Sequence, residues 1–85
     1  MKPTRKPDII TRETGLETLL QVPGREQIYL LNITAGFIWR LCDGQHSLPE
    51  IEQAMRSYFL INPDQNIMAD IEQTLKLFKQ AGLLL

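Results

Sequence analysis

An α+β domain with the element order βββααα is what this sequence predicts, and three observations carry that reading. Three short runs of β-type composition, punctuated by Gly15 and by Pro23-Gly24-Arg25-Glu26, occupy the first part of the chain. Three stretches of helical apolar spacing follow, the first two opening on capping residues. Strands are segregated from helices along the chain, which leads to a small sheet packed on a helical cluster.

The strand runs are Ile9 to Thr14, Glu17 to Val22 and Gln27 to Asn32. Gly15 and the Pro-Gly pair supply the backbone freedom and preset φ that tight turns need, so the three runs form an antiparallel meander. After Asn32 the period changes: Ile33, Phe37, Ile38 and Leu41 recur at helical spacing, with Asn32 or Thr34 as the cap and Asp43-Gly44 as the stop. Trp39 lies off that stripe and is expected at a partly exposed contact. The second helix starts at Ser47-Leu48-Pro49-Glu50, where Ser47 and Glu50 have the spacing of a capping box. Leu48, Ile51, Ala54, Met55 and Tyr58 then share one face until Asn62-Pro63-Asp64 interrupts the chain. Ile67, Ile71, Leu75 and Phe78 form the stripe of the third helix, which Gly82 ends. Residues 1 to 8, with basic residues and prolines but no periodicity, are expected to be a flexible entry segment, leaving 9 to 85 as the domain.

At 85 residues the chain supports one core. Its 44% hydrophobic and 22% charged content belongs to a folded globular domain. Nine Lys and Arg against ten Asp and Glu give a net charge of -1, which lacks the positive field that attracts nucleic acid or anionic lipid. The one cysteine, Cys42, has no second thiol for a disulfide or a zinc site and fits a reducing, cytoplasmic setting. No apolar run approaches the roughly 18 residues of a membrane span.

Candidate chemistry is sparse. His46, the one histidine, sits in a loop with no Cys or His near it in sequence and reads as an exposed loop residue. Cys42 at the end of the first helix lacks an adjacent base and reads as a small hydrophobe. The pairs Glu50/Glu52 and Asp70/Glu72 are two apart on helices and diverge, and the glycines are too scattered for a phosphate loop. No catalytic constellation, metal site or cofactor is therefore expected.

The run Gln27-Ile28-Tyr29-Leu30-Leu31-Asn32 is more informative. Ile28 and Leu30 are apolar on one face, Tyr29 and Leu31 on the other, so both faces want cover. As the last strand of a meander it lies at an edge, and an apolar edge without Lys or Pro is a template for another strand. The first strand, with Arg12 and Glu13, is guarded by comparison. Only alternate amides of such an edge point outward, and either set fits the sequence.

Leu31-Asn32-x-Thr34-Ala35-x-x-Ile38-Trp39-x-Leu41-Cys42-Asp43-Gly44 resembles the signature of the PqqD family, named for pyrroloquinoline quinone biosynthesis. Ser47-x-x-Glu50-Ile51, Asp70-Ile71 and the closing Gly82-Leu83-Leu84 resemble further parts of it, in the same order. The resemblance implies a winged-helix-like RiPP recognition element that binds the leader of a ribosomally made precursor peptide as an added strand. It also implies a partner enzyme to which the precursor is presented, such as a radical SAM protein or a leader peptidase/cyclase. The leader would lie between the third strand and the third helix. Gln27, Ile28, Tyr29, Leu30 and Leu31 on the strand, with Ile67, Asp70, Ile71 and Thr74 on the helix, are then the candidate peptide-binding residues.

Two other readings compete with this one. A winged helix could bind DNA, but the third helix sets Lys76 and Lys79 against Asp70 and Glu72 and offers no uncompensated phosphate contacts. A structural subunit would bury the apolar strand permanently in a larger enzyme.

Overall fold

The computed structural model describes residues 2–85. Its elements are β1 (Ile10–Thr14), β2 (Glu17–Gln21), β3 (Ile28–Leu31), α1 (Ile33–Leu41), α2 (Leu48–Phe59) and α3 (Met68–Gln80), in the expected βββααα order. The strands form one antiparallel sheet ordered β1-β2-β3, so β3 is an edge.

Local chemistry sets the element ends. Thr14 faces Glu17 across the two-residue turn Gly15-Leu16, and Gly15 has φ +71. A positive φ at the first central residue alone marks the type II′ turn whose twist matches a hairpin, and glycine adopts it without a Cβ clash. β3 stops at Leu31 because Asn32 leaves the strand to cap α1, accepting the Ala35 amide on Oδ1 at 2.9 Å. At α2 both capping-box bonds form: Glu50 N–H donates to Ser47 Oγ at 3.3 Å, and Ser47 N–H donates to Glu50 Oε1 at 2.7 Å.

The core gathers Leu20 and Leu31 from the sheet, Ile38 and Trp39 from α1 with Cys42 just past its end, Ile51 and Met55 from α2, and Ile71 and Phe78 from α3. α1 is its centre, packed on β2 and β3 and also on α2 and α3. A helix enclosed from two sides buries a wider arc than one apolar stripe, and this corrects the expectation for Trp39. Trp39 is 1% exposed; its indole N–H donates to Thr11 Oγ1 at 3.1 Å and its ring meets Phe78 edge-on at 5.3 Å. Ile33, by contrast, lies exposed at the start of α1. Tyr58, expected inside, is exposed, with its ring centroid 4.9 Å from those of Phe37 and Phe59.

The backbone of the entry segment is bonded to the domain. Arg5 N–H donates to Cys42 O at 2.7 Å, Lys6 N–H to Leu83 O at 3.0 Å, and Thr4 O accepts from Leu85 N–H at 2.9 Å. The Arg5 guanidinium donates to Trp39 O and Arg40 O at 2.9 and 2.8 Å at the end of α1, where Trp39 O also accepts the Cys42 amide at 3.1 Å. Pro3 is buried. Aperiodic sequence concealed this role because the segment is held by backbone bonds and one cation, none of which needs an apolar pattern.

α1 lies close on β2 because residue 36 is glycine. A Cβ built there would stand 2.6 Å from Thr18 Oγ1 and 3.3 Å from Thr18 Cβ, and Thr18 is itself buried. Gly36→Ala is therefore expected to destabilise the domain, with an overpacking cost of about 1–3 kcal/mol outweighing a helix-propensity gain of up to about 1 kcal/mol. In a Thr18→Ala background the loss should shrink, and urea unfolding of the four-member mutant cycle measures both effects.

Candidate functional site

The parity of the hydrogen bonds on β3 follows from the first hairpin. Residues flanking a two-residue hairpin turn exchange both backbone bonds, so Thr14 and Glu17 are a bonded pair, as are Arg12 and Leu19, and Ile10 and Gln21. On β2 this turns residues 17, 19 and 21 toward β1 and leaves 18 and 20 facing β3. Their partners on β3 are Leu31 and Tyr29. The backbone groups of Ile28 and Leu30 consequently point away from the sheet, at its open edge.

Side chains obey the same alternation. Tyr29 is half-buried and Leu31 buried on the helix side, whereas Ile28 and Leu30 are 61% and 59% exposed on the other face. The open edge looks onto a cavity of about 610 Å³. Tyr29, Leu30 and Leu31 form one wall; Asn32, Thr34 and Ala35, at the start of α1, form the floor. Thr74, Leu77, Phe78, Gln80 and Ala81 of the α3 side form the opposite wall, with Leu83 beyond them, and no lining residue carries a charge. β3 and α3 stand apart, with no pair of Cα atoms within 8 Å, so the helix leaves the edge uncovered.

The candidate residues divide between two places. Tyr29, Leu30, Leu31 and Thr74 meet at this groove. Gln27 lies just before the strand and accepts a 3.1 Å bond from the Tyr29 hydroxyl, while Ile28 borders a shallow hollow on the outer sheet face with Ile10 and Leu19. Ile67, Asp70 and Ile71 line a second hollow of about 230 Å³, also bounded by Ile38, Met55 and Phe59; it meets the groove at Thr34 and Thr74, which line both, and Ile67 and Ile71 are buried. The reason is geometric: one stripe runs the length of α3, but α1 and α2 cover its first half and only the second half faces β3. Leu77, Gln80 and Ala81 were missed, although continuing the stripe from Thr74 by three, six and seven positions would have found them. Leu77 is 54% exposed, an apolar side chain beside the open edge.

The remaining reactive candidates are held in structural roles. Cys42 is fully buried with its thiol 3.2 Å from Ile38 O, and burial pushes its pKa up to about 12. His46 Nδ1 sits 2.9 Å from Asp43 Oδ1, which also accepts the Gln45 amide; these bonds hold the Asp43 carboxyl below its ordinary range. Both side chains lie in the turn between α1 and α2 and are about one-third exposed.

This arrangement can be set beside known proteins. The family model described as Coenzyme PQQ synthesis protein D (PqqD) matches residues 17–84, from the start of β2 to the last residue but one. The chain belongs to the PqqD family. A solved structure described as TbiB1 in complex with the TbiA(beta) leader peptide is similar in fold, with a TM-score of 0.79 over 95% of this chain and 93% of that one, at 17% identity. No curated protein matches the chain. The family match spans β2, β3 and all the helices, and so includes both walls of the groove. Among the described residues, no helix of this PqqD-family chain is long and apolar enough to cross a membrane.

Amide exchange checks the strand parity directly. The amides of Ile28 and Leu30 should exchange with solvent much faster than those of Tyr29 and Leu31, read residue by residue by NMR. The buried thiol has its own signature. Between the ordinary cysteine value of 9.0 and about 12, Cys42 ionises in the unfolded chain and stays neutral in the folded one. Its contribution to stability, fully present below 9.0, is therefore lost as pH rises through that window. A Cys42→Ala variant should show a flatter alkaline decline in chemical denaturation.

Proposed function

We propose that this chain binds the leader segment of a ribosomally synthesised precursor peptide as a fourth strand on β3 and presents it to a modifying enzyme. One observation carries the reading: the backbone groups of Ile28 and Leu30 are unpaired along an edge that opens on an uncharged groove, which α3 borders without closing. An extended peptide about 4.8 Å from β3 takes up those donors and acceptors, and its alternate side chains enter the groove. Leader binding by the similar structure supports the same occupant.

The chain acts in this reading as a cytoplasmic, non-catalytic adaptor, a peptide chaperone for RiPP biosynthesis. Its enzyme partner is of the radical SAM type or a leader peptidase/cyclase. Strand addition without a deep pocket gives affinity near the micromolar level, about -8 kcal/mol.

Proline substitution tests the edge. Ile28→Pro and Leu30→Pro each remove an outward donor, leave the β2–β3 ladder intact and should weaken leader binding about tenfold or more, while Tyr29→Pro and Leu31→Pro should unfold the sheet. Thr74→Lys should obstruct the groove, and Arg12→Ala on β1 should bind like the parent. Calorimetry against a synthetic leader peptide that binds the parent domain, with circular dichroism to establish folding, gives the readings. Folded Ile28→Pro, Leu30→Pro and Thr74→Lys proteins that all bind at parental strength would place the peptide elsewhere.

A further inference from the structure

The groove is uncharged along its length, yet one end carries two cations that meet no acid. Arg25 lies in the β2–β3 connection, and its guanidinium donates to Ala81 O at 3.4 Å, beside the groove wall at the end of α3. Lys6 reaches the same place from the entry segment, anchored by its own amide on Leu83 O. Both point at Gly82. The position that a Cβ would occupy there is 3.7 Å from Arg25 Nη1 and Nη2 and 3.9 Å from Lys6 Nζ. Among the described residues, neither cation has a carboxylate within 4 Å.

Arg25 and Lys6 also offset the negative end of the α3 dipole, but that role leaves most of their donors unused. A guanidinium and an ammonium that approach the same residue present donors that one carboxylate can engage together. We propose that this pair anchors an acidic side chain of the bound peptide and so fixes its register on β3, an inference that rests on the strand-addition reading above. The ligand class is an extended peptide with uncharged, mainly apolar residues at the alternate positions that enter the groove, and an Asp or Glu flanking them at the Arg25 end. Backbone pairing alone allows the peptide to slide by two residues; a charge contact at one end of a neutral groove selects one register.

The experiment selects binders from a displayed library of random peptides on the intact domain and maps them by amide shifts of Ile28 and Leu30. Selected peptides should share alternating apolar residues with an adjacent Asp or Glu. A synthetic Glu→Gln or Asp→Asn version should bind about three- to tenfold more weakly at low salt. That difference should vanish in the Arg25→Gln/Lys6→Gln double variant, and with added salt on the unaltered domain. The salt arm and the peptide swap decide the matter even if the double variant fails to fold. Peptides that shift Ile28 and Leu30 but show no acidic preference, or lose nothing on the amide swap, overturn the anchor and leave strand addition standing. Selection that yields no peptide at β3 overturns strand addition itself, and the anchor with it.

Discussion

The close seat of α1 on β2, allowed by Gly36 against Thr18, is the constraint on which the remaining architecture depends. A nine-residue helix is too short to hold its shape alone, so its stability comes from what surrounds it. Here that is the sheet on one side and α2 with α3 on the other. The seat determines how deeply Ile38, Trp39 and Cys42 enter the core, and Trp39 in turn connects distant parts of the chain. Its indole N–H reaches Thr11 on β1, its ring meets Phe78 on α3, and its carbonyl receives Arg5 from the entry segment. A bulkier residue at position 36 would push on all of these at once.

The groove is a consequence of the same placement. α1 follows β3 after the single residue Asn32 and occupies the space beside the sheet, so α3 packs against α1 and is kept from β3. The apolar stripe of α3 is then used twice. Its first half, with Ile67 and Ile71, is buried in the core; its second half, with Leu77 and Ala81, faces a gap. Leaving that gap open costs the domain buried apolar area, a significant sacrifice for a chain of this size. Binding of a peptide there would recover part of it.

Much of this was legible in the residues. Turn and cap chemistry is local, and Gly15, Asn32, Ser47 with Glu50, and Gly82 all act where short-range rules place them. Membership in the PqqD family was legible from spaced matches around α1, and β3 as the apolar edge followed from the meander. The failures share one cause, since they depend on enclosure from more than one direction. Trp39 is buried because a second layer covers it, and Tyr58 is exposed because none does. Helical periodicity identifies one face of a helix; it does not report how many neighbours that helix has.

The outward parity of β3 was the remaining ambiguity, and a two-residue turn at the far side of the sheet resolves it. Edge pairing engages the backbone of Ile28 and Leu30, whose side chains face away from the helices, while the neighbouring Tyr29 and Leu31 side chains border the groove. An added strand inherits the same alternation, so every second residue enters the groove and the intervening ones lie with Ile28 and Leu30 on the outer sheet face. Recognition by the domain and exposure to a third component therefore fall on different residues of one short peptide. In the proposed adaptor role, that separation would leave one face of the bound segment open to a further partner.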